Sequence, residues 1–270
     1  MIGAMKSKSG LLIPNAAMWI AVLSAAIVFT FGLPTQSRAQ SGTKAQNNGG
    51  NKALLDAVIA GDANRVKALI AESADVNAKN DSGLTLLMLA IFQDHSKCAQ
   101  ALIEAHADVN AMERRGGNTA LMTAAKKGNA DIVKALIAAK VDVNAKDNQG
   151  WTAIMKTQDA SIIRILKAAD ADVNAKNHLG LTALMYAKDL GLTDTLIAVG
   201  ADVNAKDNNG GTALLGAALA ENADRIKVLI AAGAHVNAKD NTGWPPLRRQ
   251  PKKAAWNASR NSSLLAQVPL

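Results

Sequence analysis

The sequence predicts an all-α solenoid of about six repeats, each a β-turn or hairpin finger followed by two antiparallel helices, and three observations predict it. The triplet Asp-Val-Asn starts at Asp75, Asp108, Asp142, Asp172 and Asp202, and a His-Val-Asn variant starts at His235, so the intervals are 33, 34, 30, 30 and 33. A period near 33 sustained along most of a chain marks stacked supersecondary units. Ahead of the triplets lies an apolar stripe at helical spacing: Val66, Leu69 and Ile70 in one copy, Ile132, Val133, Leu136 and Ile137 in another, and Ile226, Leu229 and Ile230 in a third. Aromatic residues make up only 3% of the 270, fewer than a single-core globule carries and suited to a thin core of Ala, Leu, Ile and Val.

Taken from the N-terminus, Lys6 and Lys8 precede an apolar run over residues 18–33, and Ser37 and Ala39 then supply a small-x-small pair. Residues 1–39 therefore read as an export signal cleaved after Ala39. The alternative is an uncleaved anchor, because residues 11–33 are just long enough to span a bilayer. Residues 40–51, "QSGTKAQNNGGN", are polar and Gly-rich and read as a flexible linker. The repeat domain is expected over 52–243, in units of about 52–79, 80–113, 114–146, 147–176, 177–206 and 207–239. In "DNQG", Asp147 and Gly150 suit the first and fourth places of a type I turn. Thr152 then stands where a helix N-cap is wanted, its hydroxyl accepting an unpaired backbone N–H for about 1 kcal/mol. The first unit lacks this start, and Asp56, Asp62, Asn64, Arg65 and Lys67 equip it as a polar N-terminal cap. Residues 244–270 lack both the Thr and the apolar stripe, and read as an irregular basic tail expected to be disordered.

Charge and motif content narrow the function. The formal charge is +8, from 30 basic and 22 acidic residues, but three of the basic residues fall in 1–39 and five in 244–270, where there are no acids. Subtracting these eight leaves 22 basic against 22 acidic residues in 40–243, so the body is neutral. Nucleic-acid binding, which needs clustered cations to release phosphate counterions, is not expected. The single cysteine, Cys98, occupies the place of Ile132 in another copy and reads as a buried small apolar residue. His95, His106, His178 and His235 show no metal-ligand spacing, and there is no phosphate-loop or Gly-x-Ser-x-Gly motif. No enzyme activity, cofactor or metal is expected.

The irregular copies are the places to look for function. Asn110 to Thr119 spans nine positions where Asn144 to Thr152 spans eight, so the finger "MERRGGN" carries an extra residue beside Arg114 and Arg115. The two intervals of 30 lose three residues between Thr and Asp, since Thr152 to Asp172 and Thr182 to Asp202 are 20 apart against 23 for Thr119 to Asp142. The first helices of those units, or the turns after them, must be shorter by nearly a turn, altering local curvature.

The period, the turn and the tetrads "TLLM" (85–88), "TALM" (119–122), "TAIM" (152–155), "TALM" (182–185) and "TALL" (212–215) resemble the ankyrin repeat family. The resemblance covers roughly residues 52–243; Thr and the apolar third residue are kept, while Met or Leu stands where the family usually has His. It implies a left-handed residue, usually Gly, two positions before each triplet. Only Gly200 and Gly233 keep it, and Ser73, His106, Lys140 and Asp170 stand in the other four places, each at a cost of up to about 1 kcal/mol. It also implies a concave surface of fingertips and first helices that binds other proteins. On that surface the candidate partner-binding residues are Arg114, Arg115, Trp151, His178, Leu179 and Tyr186, because aromatic and Arg anchors dominate interface energies. The expectation is a monomer that binds a protein partner in the periplasm or after secretion. The alternatives are an effector acting on another cell's proteins and a scaffold tethered to the inner membrane.

Overall fold

The computed structural model describes residues 48–80 and 82–243. The expected export signal, the linker before residue 48 and the basic tail lie outside the described residues. Within them the chain forms twelve helices in six pairs. The pairs are α1 (Asn48–Ala60) with α2 (Ala63–Ala71), α3 (Leu86–Phe92) with α4 (Ser96–Glu104), α5 (Ala120–Lys127) with α6 (Ala130–Ala138), α7 (Ala153–Lys156) with α8 (Ala160–Ala168), α9 (Ala183–Tyr186) with α10 (Leu190–Ala198), and α11 (Ala213–Leu219) with α12 (Ala223–Ala231). First helices pack on first helices and second on second, so the expected all-α solenoid has two layers, and one continuous core runs between them from Leu54 to Ala234. No strand forms among the described residues; the fingers show only the isolated bridges Lys79 with Thr85 and Met112 with Thr119. No described helix is long and apolar enough to cross a membrane.

The α1 helix begins at Asn48, inside the stretch expected to be a flexible linker. A tertiary contact shows why: the Asn51 side chain accepts the N–H of Asp75 at 3.0 Å. The same bond recurs between every later pair of units. Asn77, Asn110, Asn144, Asn174 and Asn204 each accept, through Oδ1, the backbone N–H that opens the next triplet, at 2.7 to 2.8 Å. The amides of Asn144, Asn174 and Asn204 also donate to the carbonyls of Asp170, Gly200 and Gly233, at 3.2, 3.1 and 3.0 Å. Those carbonyls belong to the residues that end the second helices. All six such residues have positive φ: Ser73 at 64°, His106 at 59°, Lys140 at 61°, Asp170 at 64°, Gly200 at 96° and Gly233 at 89°. Four side-chain-bearing residues thus hold a conformation that favours glycine.

The caps follow the expectation in three units and depart from it in two. Thr85, Thr119 and Thr212 accept the N–H of Met88, Met122 and Leu215 at 3.2 Å. Thr152 and Thr182 make no such bond, and their hydroxyl oxygens are buried without a partner. The cap expected at Thr152 is therefore corrected. Its helix α7 is four residues long, and the tight turn gives the Met155 N–H to the Thr152 carbonyl at 3.2 Å instead of to the hydroxyl. The missing turn expected in these units is thus lost from the first helices themselves. Cys98 is fully buried; burial, and secondarily the charge of Asp62, pushes its thiol pKa up, which keeps it an inert apolar residue.

Two outcomes follow. Replacing Lys140 by Gly relieves a left-handed lysine and should raise stability by about 1 kcal/mol, read as a higher urea midpoint at unchanged slope. Asn144→Ala removes two bonds that join consecutive units and should cost about 2 kcal/mol, by the same measurement.

Candidate functional site

The fourth and fifth units, whose first helices are shortest, carry the densest set of fixed side chains on the finger and first-helix side. The site starts at the turn before α7. The Gly150 N–H reaches the Asp147 carbonyl at 2.9 Å, closing the turn, and Asp147 Oδ1 accepts the N–H groups of Gln149 and Trp151 at 2.8 and 2.9 Å. The other carboxylate oxygen meets Lys156 Nζ at 2.6 Å, with the two side chains 6% and 17% exposed. Lys156 is the last residue of α7, and it also donates to Asn118 Oδ1 of the preceding unit. Asn118 Nδ2 in turn donates to Glu113 Oε1 at 2.9 Å, beside the Gly116 N–H at 2.9 Å. Glu113 does in the longer finger what Asp147 does in the regular one. The extra residue there widens the turn, so that Gly117 donates to the Glu113 carbonyl four residues back. Directly at Asp147 and through Asn118 at Glu113, one ammonium thus links two inward-turned carboxylates across two units.

Beside this line stand Trp151 and Tyr186, half-buried, with ring centroids 5.1 Å apart and planes at 67°. This edge-to-face geometry is the favoured one for an aromatic pair. It arises because Tyr186, last residue of α9, occupies in its unit the place of Lys156 in the unit before. The other expected contact residues stand on the fingers. Arg114 and Arg115 are exposed on the third unit, and His178 is exposed on the fifth next to Leu179, which is 53% exposed. His178 donates its N–H to the Gln149 carbonyl at 3.0 Å, and a side chain on Gly150 would come within 2.8 Å of the His178 ring. The structure brings Trp151 and Tyr186 into contact, while the arginine pair and the His178–Leu179 pair stay on separate fingers.

Two features were missed in the sequence. The Glu113, Asn118, Lys156 and Asp147 line has no local signature, since its members lie up to 43 positions apart. Arg225 had one: a cation at the place of Ile132 in an apolar stripe. It is buried, and its Nη2 donates to the Leu184 carbonyl at 2.6 Å. That carbonyl is exposed to the next unit because α9 ends at Tyr186, and the Ala187 N–H reaches it only at 3.4 Å. Arg225 thus occupies the space of the missing turn, and burial lowers its pKa from the ordinary value. Among the described residues no three His, Cys, Asp or Glu side chains gather to hold a metal ion.

Residues 35–113 and 156–240 match the family described as ankyrin repeats (3 copies), and residues 102–154 match the one described as ankyrin repeats (many copies). Among solved structures, the chain is similar to the ankyrin repeat domain of Bcl-3, a unique member of the IkappaB protein family. The identity is 23% over 77% of this chain and 97% of that one, with a TM-score of 0.68, a likeness of fold. It is also similar to an ankyrin repeat domain from Acinetobacter baumannii AYE, at 28% identity over 67% of this chain and 98% of that one, with a TM-score of 0.62. No curated protein matches.

The ion pair can be tested by a double-mutant cycle. Lys156→Met leaves the buried Asp147 carboxylate unpaired and should cost about 3 kcal/mol. Adding Asp147→Asn should recover most of that loss in urea unfolding, because Asn177 already fills the same place in the next unit, accepting the N–H groups of Leu179 and Leu181.

Proposed function

The chain belongs to the ankyrin repeat family, and on that premise we propose that it is a non-enzymatic module that binds a partner protein through the concave face made by its fingers and first helices, working in the bacterial envelope after export by residues 1–39. Ankyrin repeats are in general protein-interaction modules, and the two shortened units supply this chain's own contact surface. The observation that carries the reading is the Trp151–Tyr186 pair, two of the few aromatic residues of the repeats, which meet edge to face and stay half-buried, Trp151 at the margin of the core. Such rigid, partly apolar rings give a large contact area with little entropy lost on binding. The apolar run and small-x-small site of residues 18–39 support the location.

The test is capture from envelope extract with the chain expressed from its full sequence, beside a Trp151→Ala/Tyr186→Ala variant whose circular dichroism shows intact helix. The expected result is a protein retained by the first and lost by the second. A partner retained equally by both would remove the aromatic pair from the binding face.

A further inference from the structure

At the fingertips the acids that open the turns face inward and the cations face outward, while the triplet aspartates Asp142, Asp172 and Asp202 are exposed four positions before the lysines. Glu113 and Asp147 are buried, and Asp207 is half-buried, holding the N–H groups of Asn209 and Gly211 at 2.8 and 2.7 Å. On the same edge Arg114, Arg115, Lys146, Lys176, Lys206 and Lys239 are exposed. The lysines are also held in place. Lys146 Nζ donates to the Lys176 carbonyl at 3.4 Å, Lys176 Nζ to the Lys206 carbonyl at 2.8 Å, and Lys206 Nζ to the Lys239 carbonyl at 3.2 Å. Each bond uses one of three ammonium protons and points the side chain along the stack. Neither Lys146 nor Lys176 forms an ion pair with a described carboxylate. The result is a row of exposed cations in which three, Lys146, Lys176 and Lys206, are already held along the stack, which lowers the entropy cost of engaging them.

We propose that this row binds an extended acidic segment of the partner protein, laid along the stack with carboxylates three residues apart. The inference rests on the protein-binding reading above and adds the chemistry of the partner. Stacked helices repeat at about 8–10 Å, and a chain extended as polyproline II advances about 9 Å per three-residue turn and returns every third side chain to the same face, so successive carboxylates meet successive units. From the Arg114–Arg115 finger to Lys239 there are four steps, which about 12 residues in the polyproline II conformation would cover. A nucleic acid fits the row less well. Duplex DNA carries a charge about every 1.7 Å of its axis, whereas this edge offers one cation per unit on a neutral body.

The experiment measures fluorescence anisotropy of two labelled peptides of about 12 residues, identical in composition, one with Glu at every third position and the other with its Glu residues contiguous. The full chain is compared with Lys146→Gln/Lys176→Gln/Lys206→Gln and with Lys97→Gln/Lys167→Gln, exposed lysines of the second helices α4 and α8. The spaced peptide should bind about tenfold tighter than the contiguous one, and the triple lysine variant should lose about tenfold, as three modest ion pairs imply, with a shallower salt dependence. The Lys97→Gln/Lys167→Gln variant should keep the peptide affinity. Equal binding of the two peptides, an unchanged triple variant, or a single-stranded oligonucleotide binding as tightly as the spaced peptide would each overturn the proposal. A partner captured from extract and lost by the aromatic variant, with no peptide binding by the full chain, would overturn this inference and leave the protein-binding reading standing.

Discussion

The asparagine of each triplet holds one unit to the next, and the rest of the architecture depends on that bond. A helix pair of this size cannot cover its own apolar face, so its stability comes from stacking. Stacking of apolar surfaces alone is non-directional, and something must set the register. Asn144 and Asn174 reach the next triplet across 28 positions, and Asn77, Asn110 and Asn204 across 31 or 32, yet the bond stays at 2.7 to 2.8 Å in all five. The ladder is therefore the constant of the fold, and helix length is the variable that adjusts to it. Even α1, which lacks the finger of the later units, joins the ladder through Asn51.

That constancy lets two units lose a turn without breaking the stack, but the loss has local consequences. The hydroxyls of Thr152 and Thr182 lie buried without partners, an expense that native interiors usually avoid. The carbonyl of Leu184 is served by a cation from the next unit instead of by its own helix. In return, the shortened helices end in Lys156 and Tyr186, whose side chains reach back to the preceding finger and build the polar line and the aromatic pair. The region that departs most from the regular unit is also the one with the most individual surface. Such departures from local consistency are expected at functional sites.

Charge is organised on the same principle of position within the unit. The carboxylates of Glu113, Asp147 and Asp207 are consumed by their own turns, where they accept backbone N–H groups, and so are turned away from the fingertip surface. Lys146, Lys176 and Lys206 are held outward along the stack. A chain whose repeat domain is neutral in sum can in this way present one charged edge, and net charge by itself carries no information about that edge.

The repeat period, the turn chemistry, the apolar stripes and the left-handed ends of the second helices were legible in the sequence, because each depends on residues within one unit and on the steric rules of its own backbone. The resemblance to the ankyrin repeats marked Ser73, His106, Lys140 and Asp170 as strained, and all four have positive φ. The three residues missing from two units announced a shortened first helix or following turn, and the structure places the loss in the helix. The tertiary structure alone decided what crosses between units. It paired Trp151 with Tyr186 over 35 positions, Lys156 with Asn118 over 38 and Arg225 with Leu184 over 41. It also extended α1 into a stretch that composition marked as linker, and denied Thr152 its cap. Local sequence specifies torsions, turns and burial patterns, but the partner of a side chain on the next unit is set by how units of unequal length stack, and that geometry exists only once they have stacked.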